Sequence, residues 1–227
     1  MAFARSSKGR LTDRDLGRFP DDTLFHRVAR EVCHAGCLPR KELYEAWEVA
    51  RRVRRLFRGG RVVDLGAGHG LLAQVMLLLD DSSPDALVVD KALPVSSGTL
   101  HATLVEAWPR LAGRVTFVAS GIEDVEIRSS DVVVSSHACG TLTDVVLERA
   151  VAARARVAVL PCCHDLDACD VGALAGWVDG PLAIDIRRAL DLERQGYRIW
   201  TQAIAADITP KNRLLLGAPT AGGSRPW

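Results

Sequence analysis

The run Val62 to Gly70, VVDLGAGHG, carries an apolar stretch into Asp64, Gly66, Ala67, Gly68 and Gly70. Glycines are needed where backbone turns sharply and must approach a ligand without a Cβ in the way. The amides that open the next helix then face that ligand. About twenty residues on, the place where dinucleotide folds set their ribose carboxylate, ALVVD ends in Asp90 with Lys91 beside it. A carboxylate there can accept both hydroxyls of an adenosine ribose, so the two features point to an adenosine-bearing cofactor. The glycines run G-x-G-x-G, whereas a pyrophosphate is cradled by G-x-G-x-x-G, and the spacing points away from a dinucleotide.

A second group of reactive residues follows two later apolar runs. One continues into Ser135, Ser136, His137, Ala138, Cys139 and Gly140, the other into Pro161, Cys162, Cys163 and His164, and His69 lies inside the glycine loop. Taken singly, a buried cysteine is a small apolar filler and a histidine a satisfied polar group. Grouped at strand ends, His137 becomes a candidate general base, and Cys139, Cys163 and His164 candidates for acceptor-side chemistry, nucleophilic attack by a thiolate included. Cys33, His34 and Cys37 form C-H-x-x-C and with Cys162, Cys163 or His164 could make a tetrahedral zinc site. No second C-x-x-C half supports one, and no metal is expected.

These residues need a frame, and the chain supplies a periodic one. Short apolar runs alternate with helical stretches, the signature of a parallel sheet built from βα units. Strands are predicted at Arg61 to Leu65, Ala86 to Asp90, Arg114 to Ala119, Asp131 to Ser135 and Val157 to Leu160, with helices at Gly70 to Leu79, Ser97 to Trp108, Thr141 to Ala153 and Leu182 to Gln195. A closing pair, Tyr197 to Ala205 and Arg213 to Gly217, is joined through Thr209, Pro210, Lys211 and Asn212, which suits an antiparallel hairpin. The expected fold is α/β, a Rossmann-like sheet that is mostly parallel with a closing antiparallel hairpin, plus a helical amino-terminal extension. The domain reading is a basic extension over 1–58, a catalytic domain over 59–217 and a flexible tail over 218–227, with Met1 to Asp22 lying loosely on the body. In an open α/β sheet the ligand sits outside the carboxyl ends of the strands, where the glycine loop and the Cys/His words fall.

Within the extension, Leu43, Ala46, Trp47, Ala50, Val53 and Phe57 recur at helical spacing between Lys41 and Phe57, leaving Arg51, Arg54, Arg55 and Arg58 as a basic outer stripe. Two readings compete for it. The arginines could contact RNA phosphates, or Glu45 and Glu48 could pair with them on a solvated face.

The D-x-G-x-G-x-G loop resembles motif I of class I S-adenosylmethionine-dependent methyltransferases, which hold the amino-acid end of their cofactor where other folds cradle phosphates. The words HACGTLTD and LPCCH, with TPKNRLLLG, resemble the family of the tRNA acceptor-stem 2′-O-methyltransferases over roughly Arg61 to Gly217. The resemblance implies S-adenosylmethionine as cofactor and RNA as acceptor, with a tRNA 2′-hydroxyl as the family's own target. It also places Gly121, Ile122, Glu123 and Asp124 beside the adenine, where a plain crossover turn is the other reading, and Ser136 on the cofactor side. The chain lacks the amino-terminal zinc module of those tRNA enzymes. Cysteines after both strands also resemble the RNA cytosine-C5 methyltransferases, which attack the base covalently. Small-molecule or protein methylation, and a non-enzymatic binding module, are the alternatives.

Composition narrows the setting. With 48% hydrophobic and 25% charged residues among 227, the chain reads as one folded domain and not as a disordered one. No apolar run reaches the length of a spanning helix, and Met1 to Arg10 has no apolar segment of the kind an export signal needs. Six cysteines without such a signal are expected as thiols in the cytosol. The net charge of +1 hides an asymmetry: Met1 to Gly60 holds 14 Lys/Arg against 8 Asp/Glu, and the remainder 15 against 20.

Overall fold

The computed structural model describes residues 3–136, 138–169 and 171–220. Its centre is a seven-stranded sheet of β1 (Val62–Leu65), β2 (Ala86–Asp90), β3 (Val115–Ala119), β4 (Val132–Ser135), β5 (Arg156–Val159), β6 (Tyr197–Ala203) and β7 (Arg213–Pro219) in the order β3-β2-β1-β4-β5-β7-β6. The first five strands are parallel, and β7 enters antiparallel between β5 and β6. The registers Val63↔Leu87 and Val63↔Val133 put fully buried valines at the centre, as expected where both faces of a sheet are covered.

The helices cover those faces: α1 (Leu24–Ala35), α2 (Arg40–Leu56), α3 (Leu71–Leu79), α4 (Ser96–Ala107), α5 (Leu142–Ala152) and α6 (Gly180–Arg194). Helix α3, LLAQVMLLL, buries all but its last residue because β1 and β2 lie on one side and α2 on the other. Helix α2 therefore belongs to the body of the domain.

The extension is more ordered than its composition predicts. Leu11 and Phe19 are fully buried, a 3-10 turn spans Asp13–Arg18, and Arg10 bridges Pro39, so the segment from Arg10 to Phe19 is packed down and not loosely laid. Helix α1, which the apolar periodicity does not reveal, is capped by the Thr23 side chain on His26 N and ended by Gly36 in the left-handed region. It buries Val28, Ala29, Val32 and Cys33. At the far end β7 runs on to Pro219, two residues past the predicted strand, and Thr220 N bonds Gly196 O. The rest of the predicted tail, 221–227, lies outside the described residues.

Candidate active site

The glycine loop joins β1 to α3. Gly66, Gly68 and Gly70 all have positive φ, at 67°, 54° and 72°, which is the physical reason for three glycines in five residues. A Cβ at Gly70 would meet Val88 Cγ1 at 2.7 Å, whereas at Gly68 it would meet nothing within 4 Å. Gly70 is therefore a packing glycine, and Gly68 turns bare backbone toward open space. The amides of Gly66 and Ala67 both donate to Val89 O at the end of β2, pinning the loop to the neighbouring strand.

Two carboxylates flank this cradle. Asp90 accepts from Gly68 N at 2.9 Å and from Ala92 N at 3.1 Å, so it already shapes the loop. Asp64 is 1% exposed; its Oδ2 accepts from Ala73 N at 3.3 Å and its Oδ1 has no partner. Burial, and secondarily the charge of Asp90, push its carboxyl up to about 7. An orphaned buried oxygen on the strand that runs into this glycine loop is a site built to take a polar ligand.

Around the cradle, Ser136 is buried, Ile122 is buried within a short 3-10 turn, Ile122–Asp124, that follows Gly121, and Lys91 pairs with Glu123 at 3.5 Å. The crossover at Gly121 is thus a turn with an exposed acidic tip. Leu38 and Glu42 from the extension face Ala67, His69 and Ser136 across a small cavity. Burial, then the neighbouring Glu45, raises the Glu42 carboxyl. His69 Nε2 lies 3.0 Å from Ser96 Oγ, and burial with Arg10 nearby lowers its pKa.

The loops after β4 and β5 meet next to the cradle: Ala138 lies under Gly66, and Gly140 N donates to Cys163 O at 3.3 Å. Cys139 and Cys162 bring their Sγ atoms to 2.8 Å, Cys162 and Cys163 to 3.9 Å, and Lys211 Nζ stands 3.8 Å from Cys163 Sγ. Burial raises the Cys139 and Cys162 thiols. Hydrogen bonding from the Cys139 and Cys162 thiols, and the Lys211 ammonium beside it, lower the Cys163 thiol.

His164 is placed differently from the catalytic role expected of it. Its side chain is 4% exposed and its Nε2 lies 2.8 Å from Asp185 Oδ1 of α6. Asp185 also receives Arg213 Nε at 2.7 Å. Arg188, one turn along α6, makes a two-pronged contact with Asp144 at 2.6 and 2.8 Å and donates to Gly140 O at 3.0 Å. The histidine of CCH and the aspartate of CG-x-x-TD thus brace the thiol loops against one helix. Asp144, Asp185, Arg188 and Lys211 escaped the sequence reading as site residues; only the TD and TPKNR words hinted at two of them. His137, the candidate base, lies outside the described residues.

The C-H-x-x-C residues stay apart from this cluster. Cys33 is buried in α1, with its thiol pushed up to about 12 by burial, and His34 Nδ1 lies 2.8 Å from Asp13.

The arginine stripe needs correction. Arg54 is 2% exposed, ion-paired with Asp80 at 3.2 Å and bonded to Met76 O and Ser83 Oγ. It faces α3 because it lies one turn beyond the buried Ala50 and beside the buried Val53, at the margin of the packed side. Arg58 reaches the same Asp80, Arg51 and Arg52 pair with Glu48, and Glu45 pairs with Lys41. Arg55 is exposed. The stripe ends at the amino edge of the parallel strands, where Arg58 O accepts from Arg156 at the start of β5, opposite the edge that carries the glycine loop.

A parallel sheet with such a cradle at its switch point defines an α/β cofactor-binding domain. A family model described as a methyltransferase domain matches residues 41–168, more than half of the chain, and the chain belongs to that family. Three solved structures have the same fold. An O-methyltransferase family protein from Burkholderia thailandensis is 18% identical with a TM-score of 0.54, over 94% of this chain and 64% of its own. The tRNA methyltransferase TrmK of B. subtilis is 14% identical with a TM-score of 0.52, over 77% and 66%. The mitomycin 7-O-methyltransferase MmcR is 18% identical with a TM-score of 0.52, over 92% and 64%. The chain thus spans a little under two thirds of the length of the first of these. No curated protein matches it by sequence. Among the described residues no helix is long and apolar enough to cross a membrane.

Membership of the family implies S-adenosylmethionine as methyl donor, and the residues fit that group. The orphaned Asp64 Oδ1 and the open space over the Gly68 backbone suit an amino-acid end, and Asp90 suits a ribose.

Proposed function

We propose that this chain transfers a methyl group from S-adenosylmethionine to an RNA hydroxyl, with a tRNA 2′-hydroxyl as the acceptor of reference. The observation that carries the cofactor side is the unpartnered Asp64 Oδ1 beside the open backbone at Gly68. When bound, the cofactor supplies an electrophilic methyl carbon on a sulfonium. The chain's own task is alignment: Gly66 to Gly70 and Asp64 hold the amino-acid end, Asp90 holds the ribose, and Ile122 with Glu123 flanks the adenine. Positioning of this kind contributes several kcal/mol to barrier reduction. His137, directly before the thiol loop, takes the proton of the attacking hydroxyl.

Support for RNA comes from the CG-x-x-TD and CCH words and from cations at the carboxyl edge. Lys211 borders the thiols, and exposed Arg10 stands close enough to His69 to lower its pKa. The burial of Arg54 and the position of Arg58 shift the phosphate contacts of this reading away from the α2 stripe.

Calorimetry with S-adenosylmethionine and S-adenosylhomocysteine tests the cofactor. Binding is expected, weakened about 10- to 10²-fold by Asp90→Ala, the scale of lost hydrogen bonds to a charged group. No binding to the folded protein overturns the reading. RNA affinity is expected to fall steeply with salt, the log–log slope shrinking by about one unit each for Arg10→Ala and Lys211→Ala. Cofactor binding with no RNA binding points to a small acceptor, and RNA binding without cofactor binding to a binding module.

A further inference from the structure

Three thiols from two separate loops converge on one point at the carboxyl edge of the sheet. Cys139 follows β4, and Cys162 and Cys163 follow β5, with all three Sγ atoms within 4.8 Å of one another. All three are free, and Cys139 and Cys163 are exposed. Nothing in methyl transfer by alignment and a histidine base requires them, yet the fold invests in holding them. Gly140 N ties one loop to the other through Cys163 O, Leu160 N bonds Ser135 O, and Arg188 grips both Gly140 O and Asp144. A filler cysteine needs no such bracing.

From this geometry we propose that Cys139, Cys162 and Cys163 form a three-thiolate site for a zinc ion, with its fourth coordination position open toward the acceptor side. Tetrahedral zinc with Zn–S bonds of about 2.3 Å sets its sulfurs about 3.8 Å apart. The Cys162–Cys163 separation of 3.9 Å meets that figure, and the Cys139–Cys162 pair at 2.8 Å reaches it by a small rotation of one exposed side chain. Three thiolates held this close would repel one another in the bare cluster. A divalent cation among them removes that repulsion. Metal binding then displaces the thiol protons and leaves three thiolates around one Zn²⁺, a site of net charge −1. Lys211, 3.8 Å from Cys163 Sγ, stands as the counter-charge and, being an ammonium, is not a ligand. Three protein ligands with one open position is the pattern of zinc sites that bind and acidify a substrate or water oxygen, whereas structural sites are closed by a fourth. Ala138 against Gly66 sets this position beside the cofactor cradle.

The test uses the full chain, purified under reductant and stripped of metal, titrated with Zn²⁺ and with Co²⁺ as a spectroscopic substitute. One equivalent per chain is expected, with thiolate-to-cobalt charge transfer, visible bands of tetrahedral intensity, and proton release that depends on pH. Cys139→Ser and Cys163→Ser are each expected to weaken binding at least 10²-fold, since outer-shell partners alone are worth about 10- to 100-fold. Cys37→Ser and Cys169→Ser are expected to bind as the parent does, and circular dichroism checks that each variant folds. The proposal is overturned if Co²⁺ shows no thiolate charge transfer, if binding survives Cys139→Ser and Cys163→Ser, or if the protein purified under reductant resists reduction and retains a Cys139–Cys162 disulfide in place of the metal. None of these outcomes depends on the acceptor or the methyl donor, so the zinc site and the proposed activity stand or fall separately.

Discussion

Replacing Asp64 by asparagine should stabilise the protein above neutral pH while damaging its cofactor site. The carboxyl is 1% exposed and burial lifts it from 3.8 to about 7 in the folded state. A folded-state pKa raised above the unfolded one means that the native protein holds a proton the unfolded chain releases. Stability from this group is complete below about pH 4, declines as pH rises, and is lost above about 7. A rise of that size corresponds to ~4 kcal/mol, an upper figure for a group this deeply buried. The asparagine side chain of the Asp64→Asn variant carries no such titration, so the stability difference between variant and parent should grow in the variant's favour from about pH 4 to about pH 7 and then level off. Urea unfolding at half-unit pH steps, without cofactor, reads this directly, and taking the difference cancels the other raised carboxyls, Glu42 and Glu45. Calorimetry on the same samples should show weakened S-adenosylmethionine binding, a trade of stability against function common at buried sites. Parallel stability–pH curves for the two proteins would refute the reasoning, because the buried charge would then carry no cost.

The Arg54–Asp80 pair offers the opposite case, a buried pair whose breaking should hurt. Asp80→Ala leaves the Arg54 guanidinium buried, already lowered to about 10 by burial, and should cost about 3–5 kcal/mol in urea unfolding; a loss under about 1 kcal/mol would contradict its burial. Arg51→Ala and Arg55→Ala, at exposed positions, should shift stability by no more than about 0.5 kcal/mol, and a flattened salt dependence of RNA binding in them would return the phosphate contacts to the α2 stripe. RNA containing 5-fluoropyrimidines should form no covalent adduct through Cys139 or Cys163, because direct transfer to a hydroxyl needs no thiol attack on a base; a cysteine-dependent adduct on denaturing gels would establish the covalent route.

Much of the frame was legible because it is periodic. Ala86–Asp90 and the run from Val115 to Ala119 are strands rich in β-branched residues and bounded by turns, and the glycine loop announces a switch point through spacing alone. Helix α1 and the segment around Leu11 and Phe19 were not, since their buried residues are spread among charges and gain their meaning only from partners across the fold. Arg54 shows the same limit at one position. A helical wheel puts it with Arg51, Arg55 and Arg58, but Asp80, Ser83 and Met76 O, which make its burial tolerable, arrive from 22 or more residues away. Lys211 read as a hairpin residue because nothing local says that the hairpin folds back onto Cys163.

The carboxyl edge also explains why reactive residue types at strand ends are not equivalent. His164 follows two exposed or half-exposed thiols, yet its ring turns into the domain onto Asp185, where Arg213 and Arg188 gather two further charges. A half-buried carboxylate shared by two guanidinium groups and an imidazole is satisfied by all three, and such networks are rigid. Rigidity there passes to the loops it holds: Arg188 fixes Gly140 O, Gly140 N fixes Cys163 O, and the thiols on both sides inherit a defined separation. The word CCH therefore splits in function at its last letter, the cysteines facing outward to whatever the site handles and the histidine facing inward to hold them in place. His164→Ala should then loosen the thiol cluster and reduce its Co²⁺ affinity by about 10- to 100-fold, the range of an outer-shell partner, while leaving the pH profile of methyl transfer in place. A changed pH profile with intact metal binding would make His164 the titrating group of the reaction and return it to the role its sequence position first suggested.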